Sequence, residues 1–374
     1  MDHALITIVG AGVIGLAVAA QVAGKYGEVY ILEKNETFGK ETSSRNSETI
    51  HAGIYYPEGS LKAETCVAGN ALLYDLCQQH GIGCRKTGKL IVATKDEEVG
   101  KLEALLERGK RNGVKGLAML SKKRLRELEP NVEAIAAILS LSSGIIDSYA
   151  LMKYLLNRAK EQGAEIAYKS KVIGIERLSD GYEVTVESGS KSFPFKTEIL
   201  INCAGLNSDE IAQLAGIDIA EAGYKLRYCK GEYFSVSNHK SRMVDRLIYP
   251  VPEPSSGGTG IHTVVDVEGR MRLGPNAQYV DEIDYKVDES QQGFFFDSVK
   301  QFLPFIEYDD LAPEMAGIRP KLQGPGEGFG DFVIRHEQDK GLPGFINLIG
   351  IESPGLTSSP AIAKYVEGLV SKIL

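Results

Sequence analysis

The chain has 374 residues, 43% of them hydrophobic and 25% charged, and a formal net charge of −8. That length buries a sizeable core and suits two intimately packed domains, while the acidic balance argues against nucleic acid as the main partner and against a strong electrostatic hold on anionic lipid. No apolar run is long enough to span a bilayer, Met1-Asp2-His3 lacks the flank of a signal peptide, and the five cysteines form no C-x-x-C pair, so reduced thiols and a cytoplasmic location are expected.

Residues 5–9 are a short apolar run rich in β-branched side chains, and Gly10-Ala11-Gly12-Val13-Ile14-Gly15 follows at once. Residues 16–23 suit a helix, and a second apolar run, 29–32, ends on Glu33. Strand, G-x-G-x-x-G turn, helix, strand and acid in this order make a dinucleotide-binding βαβ unit. Gly10 allows the tight turn, Gly12 lets backbone approach a pyrophosphate, and Gly15 lets the helix sit close to the strand. The first helical N–H groups and the helix dipole favour phosphate. Glu33 stands near the interval of about 20 residues at which an acid accepts from a ribose. The unit alone does not separate FAD from NAD.

A small, polar loop follows over 34–47, then Ile50-His51-Ala52-Gly53-Ile54-Tyr55-Tyr56-Pro57. Helices are predicted over 60–79, 96–112 and 121–129, with a strand at 89–93 between the first two. Leu102, Leu105 and Leu106 form the core face of the second helix. Lys122, Lys123, Arg124 and Arg126 give the third a basic, solvated face with an option on membrane contact. Asp147 or Ser148 caps a helix over 149–162. Residues 165–176 and 182–187 read as strands around the Asp180-Gly181 turn. Residues 199–202 form a buried strand that ends in Cys203-Ala204-Gly205 and leads into a helix to Leu214.

From 224 to about 330 short β runs dominate, at 233–236, 247–251, 261–265 and 270–273, with a hairpin at Glu268-Gly269 and a helix over 289–302. This predicts a largely antiparallel sheet in the α+β style. Strands at 332–335 and 345–349 restore the α/β pattern. Ser358 or Ser359 then caps a closing helix, with Pro360 in its first turn. The expected fold class is α/β: a discontinuous Rossmann-like domain over 1–85, 144–220 and 331–374, and a mostly antiparallel substrate domain over 86–143 and 221–330.

Ser43-Ser44-Arg45-Asn46-Ser47, the His51 stretch, Asn202-Cys203-Ala204-Gly205-Leu206-Asn207, Tyr249-Pro250-Val251-Pro252, Ala316-Gly317-Ile318-Arg319-Pro320-Lys321 and Glu352-Ser353-Pro354-Gly355-Leu356-Thr357 carry a resemblance across essentially the full length. The chain resembles the FAD-dependent oxidoreductases of the D-amino-acid-oxidase type, most of all those that oxidise L-2-hydroxyglutarate. The resemblance implies FAD held by Gly10, Gly12, Val13, Ile14, Gly15, Glu33, Lys34, Ser43, Ser44, Arg45, Asn46, Ser47, His51, Val172, Ala204, Gly205, Gly350, Gly355, Leu356 and Thr357. It implies hydride transfer from an L-2-hydroxy acid, or from an amino acid or glycerol 3-phosphate. The third alternative is a non-catalytic flavoprotein subunit. Electrons would pass to oxygen, a quinone or a carrier protein, with peripheral contact at the inner face of the membrane left open. Glu48-Thr49 departs from the family pattern, which has a small residue and then an aliphatic one. An acid there is expected to alter the site beside His51.

No metal set is expected. His51 is the first candidate base or flavin contact, against a loop histidine bonded to backbone. Arg319, followed by a rigidifying proline, offers a planar grip on a carboxylate, with Lys321 close by. His262 is a second acid/base candidate on an alternating strand. Tyr249 and Tyr233 are candidates for the substrate wall.

Overall fold

The structure, a computed structural model, describes residues 3–237, 239–252 and 258–374. Its largest sheet has eight strands. His3–Val9 lies between Val29–Leu32 and Lys191–Asn202, parallel to both, and Glu165–Ala167 adds a further parallel strand. Ile6 and Ile8 are wholly buried, as β-branched runs in a parallel sheet covered on both faces should be. Lys171–Leu178 and Gly181–Ser188 extend Lys191–Asn202 as an antiparallel meander. Phe345–Ile349 pairs in parallel with the end of Lys191–Asn202 and carries Val333–His336. Helix Val13–Tyr26 packs against helices Ser148–Glu161 and Gly355–Ile373 over this sheet. A β-carbon on Gly15 would lie 1.9 Å from the Gly10 carbonyl oxygen, so the glycine is what lets the helix approach.

The second region has two sheets over a shared core. In the five-stranded sheet Arg227–Val236 is the hub, antiparallel to Met271–Gly274, Gln278–Val280 and Leu311–Lys321. The four-stranded sheet joins Lys89–Ala93, Ala136–Ser140 and Leu117–Ser121 to Leu247–Pro250. Leu90, Ile91, Tyr249, Phe234 and Phe295 meet in this core. A three-stranded ribbon of Thr49–Ile50, Gly144–Ile146 and Cys84–Arg85 lies at the junction.

Several expectations are corrected. The strand at 247–251 does not join the antiparallel sheet: Leu247–Pro250 runs parallel to Lys89–Ala93. The single strand foreseen over 165–176 is two, Glu165–Ala167 and Lys171–Leu178. The helix foreseen over 289–302 is a short 3₁₀ turn followed by Gln292–Val299. The closing helix begins at Gly355, so Ser358 and Ser359 lie inside it and are not caps. Pro360 lacks the N–H that would bond the Leu356 carbonyl, and the Ser359 hydroxyl donates to that oxygen instead at 2.9 Å. Glu48 is engaged at a helix start. Its carboxylate accepts from the backbone N–H and hydroxyl of Ser148, at 3.1 and 2.7 Å, and so braces the start of helix Ser148–Glu161.

Helices Leu61–His80 and Gly355–Ile373 cross where Gly69 meets Thr357: a β-carbon there would stand 2.2 Å from the Thr357 carbonyl oxygen. Gly69→Ala is therefore expected to destabilise by about 1–3 kcal/mol, because rigid backbone and not a side chain must yield. Thermal unfolding checks this, with a lowered Tm as the expected result.

Candidate active site

A cavity of ≈ 1490 Å³ opens where the eight-stranded sheet, the loop over 42–47 and the five-stranded sheet meet. That is larger than a pocket for one small molecule, which is about 300–1,000 Å³. Its wall has two chemically distinct parts.

The first part is the βαβ unit. Gly10 has φ +103°, and its N–H donates to the Leu32 carbonyl at 2.8 Å. A β-carbon on Gly12 would sit 2.9 Å from the Ser43 Oγ. That hydroxyl accepts from the Val13 N–H at 2.9 Å. Helix Val13–Tyr26 has no capping side chain from its own N-cap residue, so its start presents donors to the cavity. Glu33, 6% exposed, accepts from the Ala11 N–H on one oxygen and from the Asn35 N–H and side-chain amide on the other, each at 2.8 Å. The carboxylate is thus fixed in orientation while still facing the cavity. Lys34, Arg45, Asn46, Ser47, Val172, Ala204 and Gly205 complete this part of the wall.

The loop carrying Arg45 is pressed on strand Leu311–Lys321. Thr42 Oγ1 donates to the Ile318 carbonyl at 2.9 Å, and a β-carbon on Gly317 would stand 2.0 Å from the Arg45 carbonyl oxygen. This contact ties the cofactor motif to the strand that presents Arg319 and Lys321.

The second part gathers His51, His262, Tyr233, Arg319 and Lys321 with Tyr55, Tyr56, Lys62 and Glu352. Arg319 is oriented by carbonyls: Nη2 donates to Asn276 at 2.8 Å and Lys230 at 3.2 Å, and Nε to Cys229 at 3.3 Å. Its Nη1 has no acceptor among the described residues. Glu352 is buried between two lysines, 2.9 Å from Lys62 Nζ and 3.7 Å from Lys321 Nζ. Burial opposes its ionisation, but Lys62, Lys321 and Arg319 outweigh burial and hold the carboxyl below its ordinary range.

Both histidines are held neutral. His262 is 3% exposed, and its Nδ1–H donates to the Gly260 carbonyl at 2.7 Å, which leaves Nε2 as an acceptor. Burial, followed by Lys89 and Arg319, brings it down to about 3. Burial, then Lys89 and His262, puts His51 well below the usual histidine range. Among the described residues His51 Nδ1 is buried without a partner, and Nε2 is 3.4 Å from the Ser353 hydroxyl. The His51 N–H donates to Thr357 Oγ1 at 3.0 Å, which fixes the segment on the first turn of helix Gly355–Ile373. That helix start also lacks a side-chain cap and faces the cavity at Gly355 and Leu356.

Five of the sequence candidates are not on the wall. Gly15 is a packing residue. Ser44 is exposed and donates to the Glu41 carbonyl. Gly350, at φ +70°, makes a turn beside Leu322. Thr357 positions His51. Tyr249 lies behind the wall, its ring stacked on His262 at 3.7 Å. The sequence reading missed Lys62 and Arg108 on the wall, which sit in ordinary helical patterns. The pair Tyr55-Tyr56 was the one local signal on offer.

Residues 6–369 match the family described as DAO, FAD dependent oxidoreductase. The chain is 36% identical to the mitochondrial L-2-hydroxyglutarate dehydrogenase of Arabidopsis thaliana, over 96% of this chain and 82% of that one. It is 32% identical to the L-2-hydroxyglutarate dehydrogenase of Indibacter alkaliphilus, over 97% of each. Among solved structures it resembles the L-alpha-glycerophosphate oxidase of Mycoplasma pneumoniae with FAD bound, at TM-score 0.88 and 28% identity, covering 99% and 95% of the two chains. The cavity suits FAD on its own chemistry: a glycine cradle and open helix start for the pyrophosphate, a fixed carboxylate for the ribose, and a second open helix start for charge on the reduced ring. The chain belongs to the DAO family of FAD dependent oxidoreductases.

Proposed function

We propose that this enzyme oxidises L-2-hydroxyglutarate to 2-oxoglutarate. The observation that carries the reading is Arg319. Its carbonyl contacts fix the guanidinium and leave Nη1 for a carboxylate, beside two neutral imidazoles that can accept a hydroxyl proton. The names of the relatives favour the same substrate class.

In this reading FAD, when bound, supplies the hydride acceptor. The chain's own residues do the rest. Arg319 binds the carboxylate next to the reacting carbon. A histidine of the cavity wall, His51 or His262, takes the hydroxyl proton, the latter through its Nε2. Lys321 assists with the second carboxylate, and Tyr233 with the substrate wall. The starts of helices Val13–Tyr26 and Gly355–Ile373 favour negative charge at the two ends of the cofactor. We assign 1–85, 144–220 and 331–374 to holding the cofactor, and 86–143 and 221–330 to holding the substrate. Electrons then leave to oxygen, a quinone or a carrier protein, and turnover with each distinguishes them. The proposed location is cytoplasmic. No helix among the described residues is long and apolar enough to cross a membrane.

The spectrum of the FAD-loaded protein, taken anaerobically, tests the substrate. Bleaching by L-2-hydroxyglutarate and not by the D form is expected. Bleaching by glycerol 3-phosphate alone would instead assign the activity suggested by the glycerophosphate oxidase likeness. Arg319→Lys should raise KM at least about tenfold, since the planar fork is lost. Glu33→Gln should weaken FAD binding by a similar factor, because the amide sets a donor against the Ala11 or Asn35 N–H; fluorescence titration of FAD reads this out. A neutral base is the competent one, so depression of both histidines extends activity downward. The acid limb of kcat/KM should fall below the ordinary histidine value of about 6.5.

A further inference from the structure

The proposed chemistry leaves one buried cation unused. Lys89 begins strand Lys89–Ala93 and is 1% exposed. Its Nζ lies 4.6 Å from the centroid of the Tyr55 ring and 4.5 Å from that of Tyr249. Tyr249 stacks in turn on His262, with centroids 3.7 Å apart and planes 18° from parallel. Among the described residues Lys89 makes no ion pair, and aromatic faces take the place of a carboxylate. Burial brings it down to about 7, and the Cys66 thiol is the neighbour that favours its ammonium form.

The titratable groups around Lys89 come from the elements packed against it, helix Asp96–Arg111 among them, whose Arg108 donates to the Tyr55 carbonyl at 3.1 Å. Segment 49–56 brings His51 and Tyr55, and helix Leu61–His80 brings Cys66. Strand Leu247–Pro250 brings Tyr249, and His262–Val265 brings His262. The paired strand Ala136–Ser140 presents Ser140, which does not titrate. Arg319 is a second cation acting on His262. Glu352, the buried carboxylate of this wall, is already bound to Lys62 and Lys321.

We infer that Lys89 is a positioning residue for proton transfer: its ammonium, clamped between Tyr55 and Tyr249, adds to burial in keeping His51 and His262 unprotonated, so that the substrate hydroxyl meets a free imidazole. This rests on the reading of a histidine as the base. A proton on either imidazole would place a second positive charge beside the first in a medium of low dielectric. An arriving carboxylate reverses that balance. It offsets the ammonium and raises the affinity of the imidazoles for a proton as the hydroxyl gives one up. Lys89 keeps its proton at pH values where both imidazoles have lost theirs.

Two measurements on the FAD-loaded protein test this. In the pH profile of kcat/KM, Lys89→Met should raise the acid limb by about one unit, a tenfold change in proton affinity, while Lys89→Arg keeps it in place. A fall in kcat with an unmoved acid limb in Lys89→Met would make the lysine merely structural and overturn the inference. The second measurement follows imidazole NMR signals of the unaltered protein without substrate. It reads the charge state even where L-2-hydroxyglutarate is not turned over or Lys89→Met fails to fold. Neither His51 nor His262 should titrate near pH 6.5, and the His262 signals should shift in the step near pH 7 that deprotonates Lys89. Ordinary titration of either imidazole, or no shift in that step, would overturn the inference.

Discussion

Positive charge buried around one cavity is the constraint on which the catalytic end depends. Lys62, Lys89 and Lys321 are 3%, 1% and 6% exposed, and Arg319 stands among them. An unpaired ion in such a place costs several kcal/mol. Glu352 answers Lys62 and Lys321 directly, and its own depressed carboxyl shows that the surrounding charge overcomes burial. Carbonyl oxygens answer three of the five N–H directions of Arg319, and ring faces answer Lys89. The wall is therefore cationic without being indiscriminate. Such a wall suits a small anion, and the same field, after burial, holds both histidines below their ordinary range.

The cofactor end obeys the opposite logic. It relies on backbone donors, one fixed carboxylate and the absence of β-carbons. Gly10, Gly12 and Gly15 each stand where a side chain would strike a neighbour. The two ends are joined at Gly317, whose missing β-carbon lets the Arg45 backbone lie on the strand that presents Arg319. The glycine cradle and the Arg319 strand are thus registered by a backbone contact, which has little freedom to drift.

The βαβ unit was legible because its signals are local: a β-branched run, spaced glycines, an acid at the right interval. Helix Asp96–Arg111 and the Asp147 cap were legible for the same reason. Strand Leu311–Lys321 was not, since Pro313, Gly317 and Pro320 read as breakers. It survives because it bulges at Glu314, the extra residue between the Tyr233–Met315 and Phe234–Pro313 pairs, and so takes up the irregular register. The parallel pairing of Leu247–Pro250 with Lys89–Ala93 joins segments 158 residues apart (Leu247 to Lys89), and no local pattern encodes it. The Ser-Ser-Pro of the closing helix imitates a helix start. Its serine in fact repairs the carbonyl that the proline leaves unbonded. Lys89 looked like an ordinary charged residue at the edge of an apolar run. Its meaning lies in three rings brought from distant segments.

His51, a proposed base, shows how far a position on the cavity wall depends on such distant support. The segment that carries it is anchored at Thr42 on the Ile318 carbonyl, at Glu48 on the start of helix Ser148–Glu161, and at His51 itself on Thr357. Glu48 holds a φ of +53°, a conformation costly for a side chain bearing a β-carbon, and its carboxylate bonds to Ser148 offset that cost. The residue that breaks the family pattern is thus a brace and not a participant. It works on the imidazole only by fixing the backbone that delivers it. The Asn70 amide bonds the His51 carbonyl at 2.9 Å, so the histidine is held on both its backbone sides while its ring is left without a strong partner. A rigid frame of this kind is what the proposed base requires, since the imidazole is then placed without reorganisation when the substrate arrives.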